Sequence, residues 1–414
     1  MRRIAIVGAG QAGLHLALGL QAAGYDVTLV SERSAEQIRD GRVTSTQLMF
    51  GPALALERAA GLNLWDEQAT VMGGLEMNQW DPTAGEPGPA RFTTSYDHEA
   101  RSVDQRVKLS AWLELFAARG GRVEHRAASA EDLAGIAARH ELTVVATGRG
   151  ALSSLFGRDA ARSVYDRPQR ALAAFYASGV TAKGDETDAY LRVTGAPAAG
   201  DAIALQALTV GGPCEILLLE AKPGGPYDCW QDRPGPREGL RRAVELLRVH
   251  APWEYERFSH AEPTDRGAAL YGAITPTVRH AVAALGNGHH VLGMADAVVV
   301  NDPLTGQGAN NAARAAAHYL DAIVRRGGLP YDGPWMRRTF EEYWEQARHV
   351  HAFTDLMLRQ PPAEHVSRLL RAAFEYPGLA HRFANGYADP LGYRDWLMDP
   401  QRADACLAAI AASG

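Results

Sequence analysis

A chain of 414 residues, 46% hydrophobic and 22% charged, is long enough for two or three domains around a large core. Its net charge of −6 offers no basic patch for nucleic acid or anionic lipid, and no run reaches the roughly 18 apolar residues of a membrane span. Three scattered cysteines (Cys214, Cys229 and Cys406) form neither a disulfide framework nor a metal-ligand spacing, which points to a reducing, cytoplasmic setting and to no metal.

The apolar run Ile4 to Val7 predicts a buried parallel strand. It leads into glycines at 8, 10 and 13, then into Leu14 to Leu20, which has helical apolar spacing. Gly8 permits a tight strand-to-helix turn, Gly10 lets backbone approach a pyrophosphate, and Gly13 lets helix pack on strand. Phosphates would then sit on the free N–H groups at the helix start. Val27 to Val30 predicts a second strand, and Glu32 at its end stands where an acid takes the ribose hydroxyls of an adenosine. The glycine pattern alone is weak, but in this context it predicts a dinucleotide site.

Residues 33–45 read as a polar loop over that nucleotide. Within it, Arg42 reads equally as a phosphate or flavin contact and as a solvated arginine. Residues 51–60 predict a short helix. Residues 64–97, with Met72, Leu75, Met77 and Trp80, predict strand pieces of the kind that build a substrate pocket, although core packing is the default for each side chain. Arg106 opens the helix Val107 to Arg119, from where it could reach back to phosphate. Arg122 to His125, residues 130–139 and Leu142 to Ala146 predict strand, helix and strand, ending in Thr147-Gly148 over the adenosine side.

From 169 to 222 the pattern changes to apolar runs between Gly/Pro turns, the mark of an antiparallel sheet in a second domain. Arg237 to His250 is an amphipathic helix, and residues 268–285 lead back to the nucleotide domain. Val291 to Met294 is a strand with Asp296 just past its end. Pro303, Gly306 and Gly308 fix a tight loop that opens the helix Ala309 to Arg325, again aiming backbone N–H groups at an electron-rich partner. The rest reads as helices over 335–359, 363–374 and 403–412, with a loop around 376–392. His349, His351, His365 and His381 lack metal-ligand spacing.

Five stretches carry a family resemblance: Gly8 to Leu16, Ser102 to Arg106, Val144 to Gly148, Arg167 to Leu172 (Arg-Pro-Gln-Arg-Ala-Leu) and Asp302 to Asn310 (Asp-Pro-Leu-Thr-Gly-Gln-Gly-Ala-Asn). With them the chain resembles the FAD-dependent monooxygenases of the aromatic-hydroxylase fold, and most closely the two-component styrene and indole monooxygenases. The resemblance implies an α/β fold: a Rossmann-like FAD-binding domain, an inserted mostly antiparallel β-sheet substrate domain and a C-terminal helical region. The expected segmentation is 1–50, 98–165 and 268–330 for FAD, 51–97 and 166–267 for substrate, and 331–414 for the helices.

It further implies that Gly8, Gly10, Gln11, Ala12 and Gly13 hold the FAD pyrophosphate, with Glu32 and Arg33 at the adenosine ribose. Arg42, Arg106, Thr147, Gly148 and Asp296 would complete the phosphate and ribityl contacts. Pro303, Gly306, Gln307, Gly308, Ala309 and Asn310 would line the isoalloxazine. Ser45, Met72, Leu75, Ala100, Pro303 and Leu304 would line the substrate pocket, departing from the styrene-type pattern towards a roomier, more apolar site that favours an indole-like alkene over styrene.

Single-component relatives carry an Asp where Thr147 stands, and that Asp helps bind NAD(P)H; no second nucleotide fingerprint is present. FAD is therefore expected to arrive as FADH2 from a separate NAD(P)H:flavin reductase and to be held moderately. It would react with O2 to give a C4a-hydroperoxide that epoxidises a small apolar aromatic alkene, with no acid–base residue required, and the family's habit implies a homodimer. His15 is read as structural. The alternatives are a single-component NAD(P)H-using hydroxylase and a flavin-dependent halogenase, the latter lacking its Trp-x-Trp-x-Ile-Pro segment and active-site Lys. A non-catalytic flavin module and an NAD-dependent dehydrogenase rank lower.

Overall fold

The computed structural model describes residues 1–86, 88–148, 150–286 and 288–413. Among them, strand Arg3–Val7 pairs in parallel with Asp26–Ser31 on one side and Leu142–Val145 on the other. Arg122–His125 and His290–Gly293 extend the sheet in parallel, and Val282–Ala284 closes one edge antiparallel, giving six strands. Because helix connections cover both faces, these strands are apolar throughout rather than alternating: Ile4, Ile6, Val144 and Val291 are all buried. Helix Gln11–Ala22 packs against Gly308–Arg326, so the two loops that open them share one end of the sheet.

The second sheet carries the broad wall of the molecule. Its path runs Glu262–Pro263, Ala171–Ser178, Gly212–Ala221, Gly200–Thr209, Leu191–Ala196, Met72–Gln79, Ala90–Ser102 and Leu48–Phe50, with Ala269–Ala273 also paired to Ala171–Ser178. It is antiparallel except where Met72–Gln79 meets Leu191–Ala196. Sheet membership cuts across the segmentation expected at 50, 98 and 268. Leu48–Phe50, residues 98–102 and Ala269–Ala273 all hydrogen-bond within this sheet, because strands bridging the two layers carry no composition break at the crossing.

Two short helices appear where the sequence reads as loop. Ala35–Arg39 is started by a Ser34/Gln37 capping box inside the polar 33–45 stretch. Pro377–Gly386 replaces the loop expected around 376–392. Its proline sits in the first turn, and Leu379, Ala380, Phe383 and Ala384 bury one face beneath the second sheet. Among the described residues no helix is long and apolar enough to cross a membrane, and no group of three metal-ligating side chains is assembled.

Candidate functional site: two cavities with a shared wall

A cavity of about 920 Å³ opens at the carboxyl end of the six-stranded sheet. Small-molecule sites span roughly 300–1,000 Å³, so this one suits a large cofactor. Its lining runs from Glu32 and Arg33 past Gly8 to Ala12, along Thr147, Gly148 and Asp296, to Pro303, Gly306, Gly308 and Ala309. Gly8 turns at φ +117°, which only glycine adopts cheaply. A Cβ on Gly13 would collide with the Gly8 carbonyl oxygen, whereas one on Gly10 would meet nothing within 4 Å, so that backbone faces open cavity. Thr147 Oγ1 is buried on the wall without a hydrogen-bond partner.

Several predicted residues lie elsewhere. Arg106 does not reach the cavity. It donates to Asp104 Oδ2 at 2.8 Å, to both Asp265 oxygens at 2.9 Å and to Thr209 at 3.0 Å, so its guanidinium is consumed by the protein, and Gln105 beside it lines the cavity instead. Arg42 is exposed and off the wall. Gln307 and Asn310 are buried behind the loop rather than in it. Asn310 Oδ1 accepts from the Phe50 N–H at 2.9 Å, and its Nδ2 donates to Leu48 and Gly306 carbonyls, which locks the loop to strand Leu48–Phe50. Gln307 Nε2 donates to Tyr387 O at 2.7 Å.

Gln11 turns its side chain away from the cavity, donating to Glu57 Oε1 at 2.9 Å; Lys108 Nζ bonds the same carboxylate at 2.8 and 2.9 Å. His15 is buried beside Trp112, and desolvation with Lys108 nearby lowers its pKa to about 4, in keeping with a structural imidazole.

A second cavity of about 300 Å³ adjoins the first; Thr46, Leu48, Leu218, Pro303 and Gly306 line both. Leu75 and Leu304 line it as expected. Met72 and Ala100 do not. They are cross-strand partners with no exposed area, packed in the core under the sheet, and Ser45 lines only the larger cavity. The aromatic wall comes from Tyr96, Phe374 and Tyr387, of which Tyr387 follows the unforeseen helix. Arg170, Asp201 and Lys222 make one polar end. Behind them, burial pushes the Asp302 carboxyl up to about 6 and holds Glu220 well above the usual carboxylate range.

Residues 148–257 match the family model described as the styrene monooxygenase A putative substrate binding domain. Over 321 residues the chain is 31% identical to styrene monooxygenase StyA of a Pseudomonas species, covering 76% of this chain and 75% of that one. StyA of Pseudomonas fluorescens is 30% identical over the same length and shares. The chain belongs to the styrene monooxygenase family. It is a flavin-dependent monooxygenase with FAD as cofactor.

Solved structures share the fold. The flavin-dependent brominase Bmp2 superposes with a TM-score of 0.68 at 12% identity over 99% of both chains. 2-Methyl-3-hydroxypyridine-5-carboxylic acid oxygenase superposes at 0.55 with 17% identity, over 86% of this chain and 88% of that one. FAD fits the larger cavity on this chain's own features. Two helix starts face it, Gly10 leaves backbone open to a phosphate, and the unpartnered Thr147 hydroxyl awaits an acceptor or donor.

Proposed function

We propose that this chain is the oxygenase component of a two-component system that epoxidises an electron-rich aromatic alkene, indole-like before styrene-like. The observation that carries the reading is the shared wall: an apolar chamber of ligand size has Pro303 and Gly306 in common with the far end of the dinucleotide cavity. Gly8, Gly10, Ala12 and Gly13 hold the pyrophosphate on the first helix start, Glu32 takes the adenosine ribose, and Asp296 takes a ribityl hydroxyl. Pro303, Gly306, Gly308 and Ala309 face the ring system, where the second helix start favours negative charge. Reduced FAD, when bound, supplies the activation of O2.

The chain's own contribution is to place the alkene and exclude water. Leu48, Leu75, Leu304 and Tyr96 do so from the apolar chamber. An electron-rich alkene needs no proton removed, so no general base is assigned. Thr147 at the strand end, in place of an acid, supports delivery of FADH2 by a separate reductase. Lys108 is bound to Glu57 and Lys222, on the chamber wall, to the Pro197 carbonyl, so neither stands free for a halogenating reaction. Chemically reduced FAD, O2 and a panel of styrene, indole and larger fused indoles test the reading. Epoxides and indigo-forming product from indole are expected; styrene oxide without any oxidation of indole would reverse the substrate preference.

A further inference from the structure

On the chamber-facing side of the second sheet, Asp201 and Glu220 stand directly opposite each other on neighbouring strands, an arrangement that is unfavourable for two acids unless something compensates. Arg170 lies alongside, 3% exposed, with its Nη2 at 3.9 Å from Asp201 Oδ2, too far for a hydrogen bond. One Arg170 nitrogen donates to the Gln169 carbonyl at 3.1 Å, and its buried Nε has no partner. Asp201 accepts no hydrogen bond among the described residues, and the quarter of its side chain left uncovered is on the chamber wall.

Two further polar groups on that wall are already spent, while the Tyr96 hydroxyl is buried there without a partner. Asn78 Oδ1 accepts from Arg91 at 2.6 Å and its Nδ2 donates to Glu76, while Lys222 Nζ donates to the Pro197 carbonyl at 2.6 Å. What remains open at the polar end of the chamber is one donor beside one acceptor, separated by a gap. A hydroxyl group satisfies both at once, accepting from Arg170 and donating to Asp201. A protonated amine or a carboxylate can answer one side only. Burial raises the Asp201 carboxyl above its usual range, with Arg170 and Lys222 opposing that rise in part, and either protonation state keeps a carbonyl oxygen that accepts.

We infer that the substrate of this enzyme carries a hydroxyl on the part remote from its alkene, and that Arg170 and Asp201 hold that hydroxyl as the specificity-determining pair. The inference rests on the smaller cavity being the substrate chamber, not on the reaction performed there. A hydrocarbon of the same shape leaves a buried carboxylate unpaired, and a hydrogen bond to a charged group is worth about tenfold or more in affinity.

Calorimetric binding of three unreactive probes to the intact protein tests this without turnover. The probes are 4-ethylphenol, 4-ethylanisole, which keeps the oxygen but loses the donor, and ethylbenzene. The phenol is expected to bind at least about tenfold tighter than either of the others, with the gap narrowing to about threefold or less in Asp201→Leu and shrinking in Asp201→Asn. Equal binding by the wild-type chain would overturn the inference, as would a gap that survives Asp201→Asn undiminished. Product analysis with 4-vinylphenol separates this from the reaction itself. An epoxide or its diol upholds the epoxidase reading, whereas a catechol sinks that reading while leaving the hydroxyl pair standing.

Discussion

His15 shows how one buried side chain sets a pH response. In the folded chain it stays neutral down to about pH 4, whereas in the unfolded chain it protonates near 6.5. Between those values the unfolded state holds more protons, so stability falls as pH drops from 6.5 towards 4, by on the order of 3 kcal/mol from this residue. Denaturant melts of His15→Gln across that window should show a shallower acid limb; an unchanged limb would mean the imidazole is not desolvated as described. Met72 makes a second residue-scale case. Its side chain is fully buried under the sheet and off the chamber wall, so Met72→Ala is expected to cost about 2–5 kcal/mol of stability. The ratio of rates on styrene and indole should not move. A changed ratio would return Met72 to the substrate wall.

At the scale of elements, the site depends on two loops being held in register. Gly13 must lack a side chain because helix Gln11–Ala22 starts directly against the Gly8 carbonyl. Gly13→Ala should therefore displace the turn, weaken FAD binding by at least about tenfold and cost about 1–3 kcal/mol, read by flavin fluorescence titration and thermal melting. Beneath the same loop, Gln11, Glu57 and Lys108 form a buried strut, and Gln11 also reaches the Ala309 carbonyl at the opening of the second helix. Lys108→Met strands the Glu57 carboxylate in the core, with an expected loss of about 3–5 kcal/mol. A loss below about 1 kcal/mol in chemical unfolding would show that the pair is hydrated rather than dry.

Over the whole molecule, what was legible in the sequence was what local pattern encodes. The glycine turn, the apolar parallel strands, the helices read at Leu14 to Leu20 and Ala309 to Arg325 and the antiparallel region read over 169–222 all appear, the first helix opening three residues earlier at Gln11. Arg106 was misread because a helix-start arginine looks the same in sequence whether it faces a phosphate or an acid, and its partner Asp265 lies 159 residues away. Met72 and Ala100 were misplaced because a one-position change of register in a strand turns a wall residue into a core residue. Tyr387 had no local signal, Leu218 read only as part of a strand, and Arg170 stood in the Arg167–Leu172 stretch with nothing to pair it with Asp201. They meet only through the packing of the C-terminal helices and the second sheet around the chamber.

The claim on which everything else hangs is that this chain inserts one oxygen atom of O2 into an alkene, with reduced FAD as the electron donor, without handling a nicotinamide itself. Anaerobically reduced FAD mixed with the enzyme and indole, then exposed to isotopically labelled O2, tests it in a single turnover. The account predicts one labelled oxygen in a product oxidised at the alkene bond, and no NADH consumption when NADH and oxidised FAD are supplied without a reductase. A product hydroxylated on the benzene ring of indole, or NADH oxidation by the chain alone, would contradict it.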